Sequence, residues 1–519
     1  MMISSAELDQ RDSSSSTQLQ FLLRGTECAF ANALRRSMIA DVNTVAFQEP
    51  NRRPFLSLFL EDELKRDQTL IYDPGFIEVL QNTSEMHTEI LVKRIAMIPL
   101  YIDPLEFLKS PSRFTFTLDV HNDGGSKEIR EVTPADFLLE KFECEEDEES
   151  DRKNEEKQDD RDDGNNVLEE EGEEVHSRNP LQRKMSTELL ERIFPGFKHE
   201  LSKELLQELR DSGIDTDSLR TQQIPIVRLH PGQSLRLRLR PTVSCANSHA
   251  AFSPVSKCFY FNDVDQSQVE LQRSKIRADL NLSEEDRKSA LLQLEIHDKY
   301  RFFKKNRREE ACDFHFFVKS LGPLSPHRIF NEALTSIVRR VEFLDQRVSD
   351  DMISVEVDDE YVYCDLLVPE LFQSRNEQTK HRRVFCNNGH TIGNLLQSFF
   401  YESQVDPVED LLFIGYRKTY PFDPLGELES SLDRKTFFPH SLDPFLELSF
   451  IWKKSTFKGS VDLRPDTLLT VKIVAKIKEH LSEVLRACAI FSEKMKVFLG
   501  DENQSSSASL HERYSKSNN

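Results

Sequence analysis

Two segments of this 519-residue chain repeat one pattern, and the repeat restricts the possible folds more than any other feature of the sequence. Residues 22–23 lead through a short polar loop into FANALRRSM, and residues 384–385 lead through a loop of equal length into IGNLLQSFF. Each segment predicts a strand, a loop and a helix. An offset of 362 positions places Asn32 on Asn394, so the two helices can be compared residue by residue.

The two helices also share an apolar stripe with the spacing i, i+3, i+4, i+8, which lies on one helical face. We predict that they pack against each other as a pseudo-twofold pair, because neither could bury its stripe alone. A chance match between two amphipathic helices is the alternative. Around Asn32 and Asn394, the stripes consist of Phe30, Ala33, Leu34 and Met38 in the first helix and Ile392, Leu395, Leu396 and Phe400 in the second.

Two adjacent arginines follow the centre of the first stripe. Arg35 points about 100° and Arg36 about 200° away from Leu34 around the helix axis. Both guanidinium groups therefore leave the core side. Solvent exposure is one interpretation, and contact with a partner protein is the other, since arginine is enriched at interfaces.

The negative charge of the chain is concentrated in one block. The net charge is −22, and residues 143–174 contain 18 acidic and 4 basic residues. Such a block buries too little apolar surface to offset chain entropy and is typical of a disordered loop, either a solvated spacer or a lure for a basic partner. The overall charge also argues against a free-standing nucleic-acid clamp. Residues 1–16 and 501–519 are polar and Ser-rich, which predicts disordered tails.

Patterns elsewhere predict a mixture of strands and helices. The run LRLRLR at 235–240 alternates strictly and predicts a half-buried strand, whose arginines face either solvent or nucleic acid. Ser283 is placed to cap a helix, and apolar residues between Val474 and Phe498 recur at intervals of 3 and 4, as in a packing helix.

We predict no catalytic residue, no cofactor and no metal site. The sequence has no GxxxxGK[ST], GxGxxG, GxSxG or HExxH motif, and its eight cysteines are scattered. Cys386 and His390 lie four positions apart, but a capping or packing role suits His390 better than a nucleophile and base. No apolar run is long enough to cross a bilayer, so we expect a soluble intracellular protein without membrane contact.

The first repeated segment resembles a known family. FANALRRSMIADVNTVAF at 30–47 is similar to the first helix and following strand of the third-largest subunit of eukaryotic RNA polymerase II, which is related to the archaeal D subunit and the bacterial alpha amino-terminal domain. Further blocks resemble that subunit in family order: EILVKRIAMIPL at 89–100, HAAFSPV at 249–255 and FHFFVKSLGPL at 314–324.

The second repeated segment resembles a different subunit of the same enzyme. VFCNNGHTIGNLL at 384–396, together with FIGYRKTYP at 413–421, is similar to the eleventh subunit and its archaeal L homologue. The resemblance therefore implies a fusion of both partners, a feature associated with the polymerases of large DNA viruses.

The resemblance implies an α+β fold in which two alpha-subunit-like dimerisation domains form an intramolecular pseudo-dimer. The first would be interrupted by an inserted, mainly β domain. The implied divisions are a tail at 1–16, the first dimerisation domain at 17–46 plus 266–345, the insert at 47–265 with the acidic loop at 143–174, the second dimerisation domain at 346–500, and a tail at 501–519.

The implied function is a non-catalytic assembly platform of a DNA-directed RNA polymerase. Arg35, Arg36 and Arg94 would contact the second-largest subunit, which then recruits the largest, and small subunits would join. No sequence-specific nucleic-acid binding is implied. A viral source would place the protein in the host cytoplasm or nucleus, with the virion as a further location. The alternative is an acidic chaperone or adaptor that binds basic proteins through 143–174.

Several positions depart from the family pattern. Lys93 replaces a usual histidine, Met97 a usual glycine, and the pair at 251–252 a usual Lys-Trp. Some members bind zinc or an iron-sulfur cluster through cysteines of the inserted domain, which here holds Cys144, Cys245 and Cys258, too few and too separated. Extra sequence at 417–447 leaves two candidates open for the family's proline-histidine position, Tyr420-Pro421 and Pro439-His440.

Overall fold

The structure is a computed structural model of the chain. The predicted acidic loop at 143–174 and the predicted tail at 501–519 lie outside the residues that it describes. The described residues are 7–10, 17–49, 56–123, 128–140, 182–184, 193–194, 224–279, 281, 283–306, 309–348, 353–369, 371–373, 383–385, 389–404, 411–418, 445–457 and 468–499.

Several helices begin at residues with suitable capping chemistry. The first predicted cap is present, since Ser283 Oγ accepts a hydrogen bond from the backbone N of Asp286 at 3.1 Å. Ser325 caps the next helix through the backbone N of Arg328 at 3.2 Å, and Pro326 fits its first position because its fixed φ suits a helix start. The α-helices are α1 (Cys28–Ala40), α2 (Leu58–Arg66), α3 (Thr88–Ala96), α4 (Pro104–Lys109), α5 (Gln266–Ala278), α6 (Glu284–Ile296), α7 (Pro326–Arg347), α8 (Gly389–Gln404) and α9 (Leu468–Leu499).

The strands combine with these helices in an α+β fold, as the sequence predicts. Almost all strand pairs are antiparallel. The strands are β1 (Glu7–Gln10), β2 (Gln18–Arg24), β3 (Asn43–Ala46), β4 (Leu56–Ser57), β5 (Phe76–Asn82), β6 (Phe116–His121), β7 (Arg130–Val132), β8 (Leu138–Glu140), β9 (Gln182–Lys184), β10 (Val227–Leu229), β11 (Ser234–Arg240), β12 (Thr242–Cys245), β13 (Val255–Asn262), β14 (Phe314–Ser320), β15 (Ile353–Val357), β16 (Tyr361–Pro369), β17 (Leu371–Gln373), β18 (Arg383–Phe385), β19 (Leu411–Lys418) and β20 (Phe445–Lys453).

The chain divides into two compact units. The first comprises Met1–Thr44, Phe55–Asp67 and Ser244–Asn519, and the second comprises Val45–Pro54 and Gln68–Val243. Residues 55–67 and 244–265, which we assigned to the inserted domain, thus lie in the first unit. The division into two dimerisation domains and an insert stays a prediction.

The first sheet of the first unit has the strand order β1-β2-β14-β13. One face carries alternating apolar residues from β2 and β14, and α1 and α7 pack against this sheet. Phe21 stacks on Phe316 with ring centroids 4.8 Å apart, and Phe330 of α7 meets Phe21 edge-on at 5.3 Å. The buried residues of this face are Leu19, Phe21, Leu23, Phe314, Phe316 and Val318.

Strand β1 corrects the expectation of a wholly disordered tail at 1–16. Glu7–Gln10 pairs antiparallel with β2, with Glu7 opposite Arg24 and Gln10 opposite Phe21. The polar composition of the segment did not reveal this pairing, because the backbone supplies the bonds of a strand ladder.

The second sheet of this unit has the order β15-β16-β20-β19, and β15 and β16 are rich in β-branched and aromatic residues. Helix α8 packs on β19 and β20. Its Gly393 lies so close to the sheet that a Cβ atom there would stand 2.5 Å from the Tyr416 ring. Residues 419–444 lie outside the described chain, so the choice between Tyr420-Pro421 and Pro439-His440 stays open.

Helix α9 is 32 residues long and includes the predicted seam between Val474 and Phe498. It packs against α7 and, less extensively, against α8. The side chains of Met495 and Phe498 lie outside the description. The buried seam residues are Ile477, Leu481, Val484, Cys488 and Phe491.

The second unit is built on a sheet with the order β5-β11-β6-β8-β9. The predicted half-buried strand is β11, whose leucines are buried and whose arginines reach carboxylates of the same unit. Arg236 binds Asp119 at 2.9 Å, and Arg238 binds Glu140 through two bonds of 2.8 Å. Carboxylates of the same sheet thus neutralise these arginines. This favours the interpretation that they face solvent over the interpretation that they contact nucleic acid.

Candidate functional site

The two helices of the repeat lie against each other within the first unit. Helix α1 contacts α8, and the apolar stripes of both helices belong to one continuous core. Asn32 and Asn394 are half-buried beside these stripes. The buried stripe residues are those that the spacing predicts: Phe30, Ala33, Leu34, Met38, Ile392, Leu395, Leu396 and Phe400.

Two polar contacts join α1 to α8. Arg36 Nε donates a hydrogen bond to Thr391 Oγ1 at 2.7 Å, near the start of α8. Ser398, further along α8, donates its hydroxyl hydrogen to Glu27 Oε2, next to the start of α1. Arg36 and Ser398 are equivalent under the offset of 362, so each helix uses the same position to reach the beginning of the other.

Helices α7 and α9 continue the contact between the two segments. The ring of Phe30 in α1 meets that of Phe491 in α9 edge-on, with centroids 5.2 Å apart. Asp345 of α7 has a raised pKa because of burial, partly offset by the nearby charge of Lys478 in α9. In addition, β18 pairs in parallel with β4, so that Val384 stands opposite Leu56.

A buried ion pair holds the end of α1 to the middle of α7. Arg340 donates two hydrogen bonds to Asp41, of 2.7 and 2.6 Å, and both side chains are at most 3% exposed. Asn247 Nδ2 donates a third bond to Asp41 Oδ1 at 2.7 Å. Removing one member would leave a buried charge without its partner.

Arg339, next to Arg340, contacts α2. Its guanidinium group stands 4.7 Å from the centroid of the Phe59 ring and contacts Asp62 at 3.2 Å and Glu63 at 3.4 Å. Burial lowers the pKa of Arg339, while these two carboxylates oppose that effect. Helix α2 is therefore fixed to α7 by charge as well as by packing.

The three arginines predicted to contact a partner occupy different surroundings. Arg35 is half-buried and donates two bonds to Asn32 Oδ1 of its own helix, at 3.2 and 2.9 Å. Arg36 reaches Thr391, as described above. Arg94 lies in the second unit on the exposed face of α3, and its Nη2 donates to the carbonyl of Pro225 at 2.8 Å.

The positions that depart from the family pattern are placed as follows. Lys93 and Met97 are exposed on or beside the same face of α3 as Arg94, and Met97 is 54% exposed. Phe252, where the family usually has tryptophan, is fully buried, and its carbonyl accepts a bond of 2.7 Å from Thr44 Oγ1. An aromatic residue therefore keeps a packing role at position 252.

The described residues contain no group of three or more potential metal ligands. His390 is exposed at the start of α8, 6.0 Å from the Tyr416 ring, whereas Cys386 lies outside the description. Burial raises the pKa of Cys245 to about 11 and that of Cys488 to about 12, so both thiols are poor nucleophiles at neutral pH. Within the described chain, no helix is both long enough and apolar enough to span a membrane.

Sequence reasoning missed the polar residues of the site. Glu27, Thr391, Ser398 and the pair Asp41 and Arg340 carry no pattern that identifies their partners. Asp41 and Arg340 lie 299 positions apart. The available signal was indirect: Asp41 directly follows α1 and Thr391 lies in the first turn of α8, and the apolar stripes of these two helices predict a close contact.

Comparison with known proteins gives two matches. A family model described as the RNA polymerase Rpb3/Rpb11 dimerisation domain matches residues 20–341. The chain is also similar to DNA-directed RNA polymerases I and III subunit rpac1 of Dictyostelium discoideum, with 22% identity over 358 residues, covering 65% of this chain and 80% of the relative. The family match includes α1 and ends within α7, before α8 and α9.

Proposed function

The chain belongs to the RNA polymerase Rpb3/Rpb11 dimerisation family, and on that premise we propose that it is the assembly platform of a multisubunit DNA-directed RNA polymerase. Membership confirms the expectation of a polymerase subunit without catalytic residues of its own. One observation carries the proposal: α1 packs against α8, although the two helices lie 362 positions apart in the sequence.

In this proposal the chain forms a pseudo-dimer, and α1 and α8 are the helices through which its two halves pair. We propose residues 17–46, 55–67 and 244–345 as one half and residues 346–500 as the other, with the remaining residues of 47–265 as the insert. The shared core, the contact of Phe30 with Phe491, and the equivalent roles of Arg36 and Ser398 support this interpretation. A pair of separate subunits would bury the same kind of helix face between two chains.

Fusion of the two halves has a physical consequence for assembly. Pairing within one chain replaces a bimolecular step by an intramolecular one and fixes the ratio of the halves at one to one. The platform would therefore form at any concentration of the chain. Polymerases of large DNA viruses are the setting that we propose for such a fusion.

The proposed partner of the platform is the second-largest polymerase subunit, which then recruits the largest. Arg35 and Arg94 are the proposed contacts, because an arginine fork suits carboxylates at an interface. Arg36 was assigned to the same partner from the sequence, but its bond to Thr391 favours a role in holding the two halves together.

The test is recovery of the two large subunits with the tagged chain from its native source. We expect Arg35→Glu to weaken the complex by about tenfold or more, as for a central interface arginine, while the fold stays intact. Arg301→Glu is the matched control, because Arg301 has an 81% exposed side chain and lies outside the proposed surface.

Each outcome of this test has a defined meaning. Equal recovery with Arg35→Glu and with the control would remove Arg35 from the proposed contact. Absence of both large subunits from the preparation with the unaltered chain would contradict the function itself.

A further inference from the structure

The first sheet has a second face, directed away from α1 and α7. On β13, Cys258 and Tyr260 pack towards the core, so the alternating residues between and beside them point outwards. Phe259 is 45% and Phe261 47% exposed, which is unusual for two neighbouring phenylalanines of one strand. The register places three residues of β14 opposite three of β13 on this face, and we call the group the aromatic edge: Lys257, Phe259, Phe261, His315, Phe317 and Lys319.

The rings of the aromatic edge are stacked across the two strands. Phe259 lies over Phe317 with centroids 5.2 Å apart and an angle of 20° between the planes. Phe261 lies over His315 at 5.1 Å and 16°, and His315 Nε2 is 2.7 Å from Asp263 Oδ1, which fixes the orientation of the imidazole.

Each stack keeps exposed ring surface, and Phe261 also lines a cavity beside α5 and α6. Strand β13 is the last of its sheet, and no other described strand pairs with its free edge. The exposed ring surface of Phe259 and Phe261 can therefore accept a further aromatic ring. The two phenylalanines are two positions apart, which separates them by about 6.6 Å along the strand.

Two lysines complete the aromatic edge. Lys257 stands directly opposite Lys319, and neither forms an ion pair with a carboxylate in the described part of the chain. Like charges opposite each other destabilise a strand pair, so this arrangement has no benefit for the sheet itself. An anion bound between the two ammonium groups would remove the repulsion.

We propose that the aromatic edge binds single-stranded RNA, with two successive bases stacked on Phe259 and Phe261 and a phosphate held by Lys257 and Lys319. Aromatic rings on a sheet next to basic side chains bind single strands without reading their sequence, because every base has a π face. Paired bases of a duplex are not accessible to such rings. The choice of RNA over DNA rests on the proposed function, since RNA is the single-stranded product of a transcribing enzyme.

The test is fluorescence anisotropy of a fluorescein-labelled oligouridylate of 12 nucleotides with the full chain at low salt. We expect binding that Phe259→Leu and Phe261→Leu each weaken by about tenfold, because leucine keeps the apolar bulk but offers no ring for stacking. Phe413→Leu is the matched control: Phe413 is 48% exposed on β19, the edge strand of the other sheet, and its replacement should leave binding unchanged.

The lysines have a separate readout. Lys257→Gln combined with Lys319→Gln should reduce the slope of log affinity against log salt by about 0.7, because the two lysines hold one phosphate and each phosphate contact contributes about 0.7 for a single strand. Lys288→Gln, at a side chain that is 77% exposed on α6, should leave the slope unchanged. The melting temperature of each variant verifies that it is folded.

Three results would overturn the proposal. They are no binding of the oligouridylate by the unaltered chain, equal binding by the phenylalanine variants, and tighter binding of an oligodeoxythymidylate of the same length. If the phenylalanine variants instead lose the large polymerase subunits and keep the oligonucleotide, the surface binds protein and the proposal is wrong. A failure of polymerase assembly alone would leave the anisotropy result unchanged, so the two proposals can fail separately.

Discussion

The pair of Asp41 and Arg340 shows how much single residues contribute to this fold. Asp41 terminates α1, Arg340 lies in the middle of α7, and each is almost inaccessible to water. Their two hydrogen bonds and the third from Asn247 compensate for the loss of hydration only while all partners are present.

We predict that Arg340→Leu lowers the free energy of unfolding by about 3–5 kcal/mol, because it leaves the Asp41 carboxylate buried and unpaired. Urea unfolding of the full chain measures the change. Lys288→Leu, which removes an exposed pair with Glu284, is the control and should leave the unfolding midpoint unchanged. Equal midpoints for the two variants would show that the buried pair has no stabilising role.

His480 gives the fold a dependence on pH. The imidazole is 2% exposed in α9, next to the Phe400 ring at 5.5 Å, and its pKa is lowered by burial and by the charge of Lys476. The unfolded chain therefore binds a proton more readily than the folded chain does. The contribution of His480 to stability is fully present above about pH 6.5, the pKa of histidine in the unfolded chain. It is lost as the pH falls from there through the lower pKa of His480 in the folded chain.

We predict that His480→Phe removes part of this loss, because phenylalanine has a similar shape and no proton to bind. The difference in melting temperature between the variant and the unaltered chain should grow in favour of the variant as the pH decreases from 7 to about 5. Parallel curves for the two proteins over this range would contradict the role of His480.

At the scale of elements, apolar spacing predicted most of the site. The stripes of α1 and α8 and the seam of α9 are buried as expected, because a helix that packs must place apolar residues three and four positions apart. The contacts between elements were not predictable in the same way. The prediction that Arg36 points away from the apolar stripe was correct. The helical angle alone, however, does not show that the start of α8 lies in that direction.

The polar contacts between α1 and α8 could not be predicted from the sequence for a related reason. Glu27 and Ser398 are common surface residue types, and only the crossing of α1 and α8 brings them together. Likewise, strand β1 forms from a Ser-rich, polar neighbourhood because its pairing uses backbone groups, which are the same for every composition.

We predict that Gly393→Val destabilises the packing of α8 on its sheet by about 1–3 kcal/mol, as in overpacked cores. The added Cβ would lie 2.5 Å from the Tyr416 ring and 2.9 Å from Leu446, so both neighbours must shift. Thermal unfolding measures the effect, and Gln397→Ala, at a half-buried position of the same helix, is the control. A melting temperature equal to that of the control would show that the helix can move away without cost.

At the scale of the whole molecule, the two proposed halves should hold each other without the covalent link. A protease site introduced between α7, which ends at Arg347, and β15, which begins at Ile353, should allow cleavage without separation. We predict that both fragments elute together from a sizing column, because the shared core and the pairing of β4 with β18 lie between them.

A matched variant sharpens this experiment. With Phe30→Asp and Leu396→Asp in the cleaved chain, two buried charges oppose the contact and the fragments should separate. Separation of the fragments without these substitutions would contradict a stable pair.

The most direct test of the central claim is native mass spectrometry of the complex purified through a tag on this chain. We predict a complex with one copy of this chain, one second-largest subunit and one largest subunit, because the proposed platform has both of its halves in one molecule. A complex that lacks the large subunits, or one that contains two copies of this chain, would contradict the account.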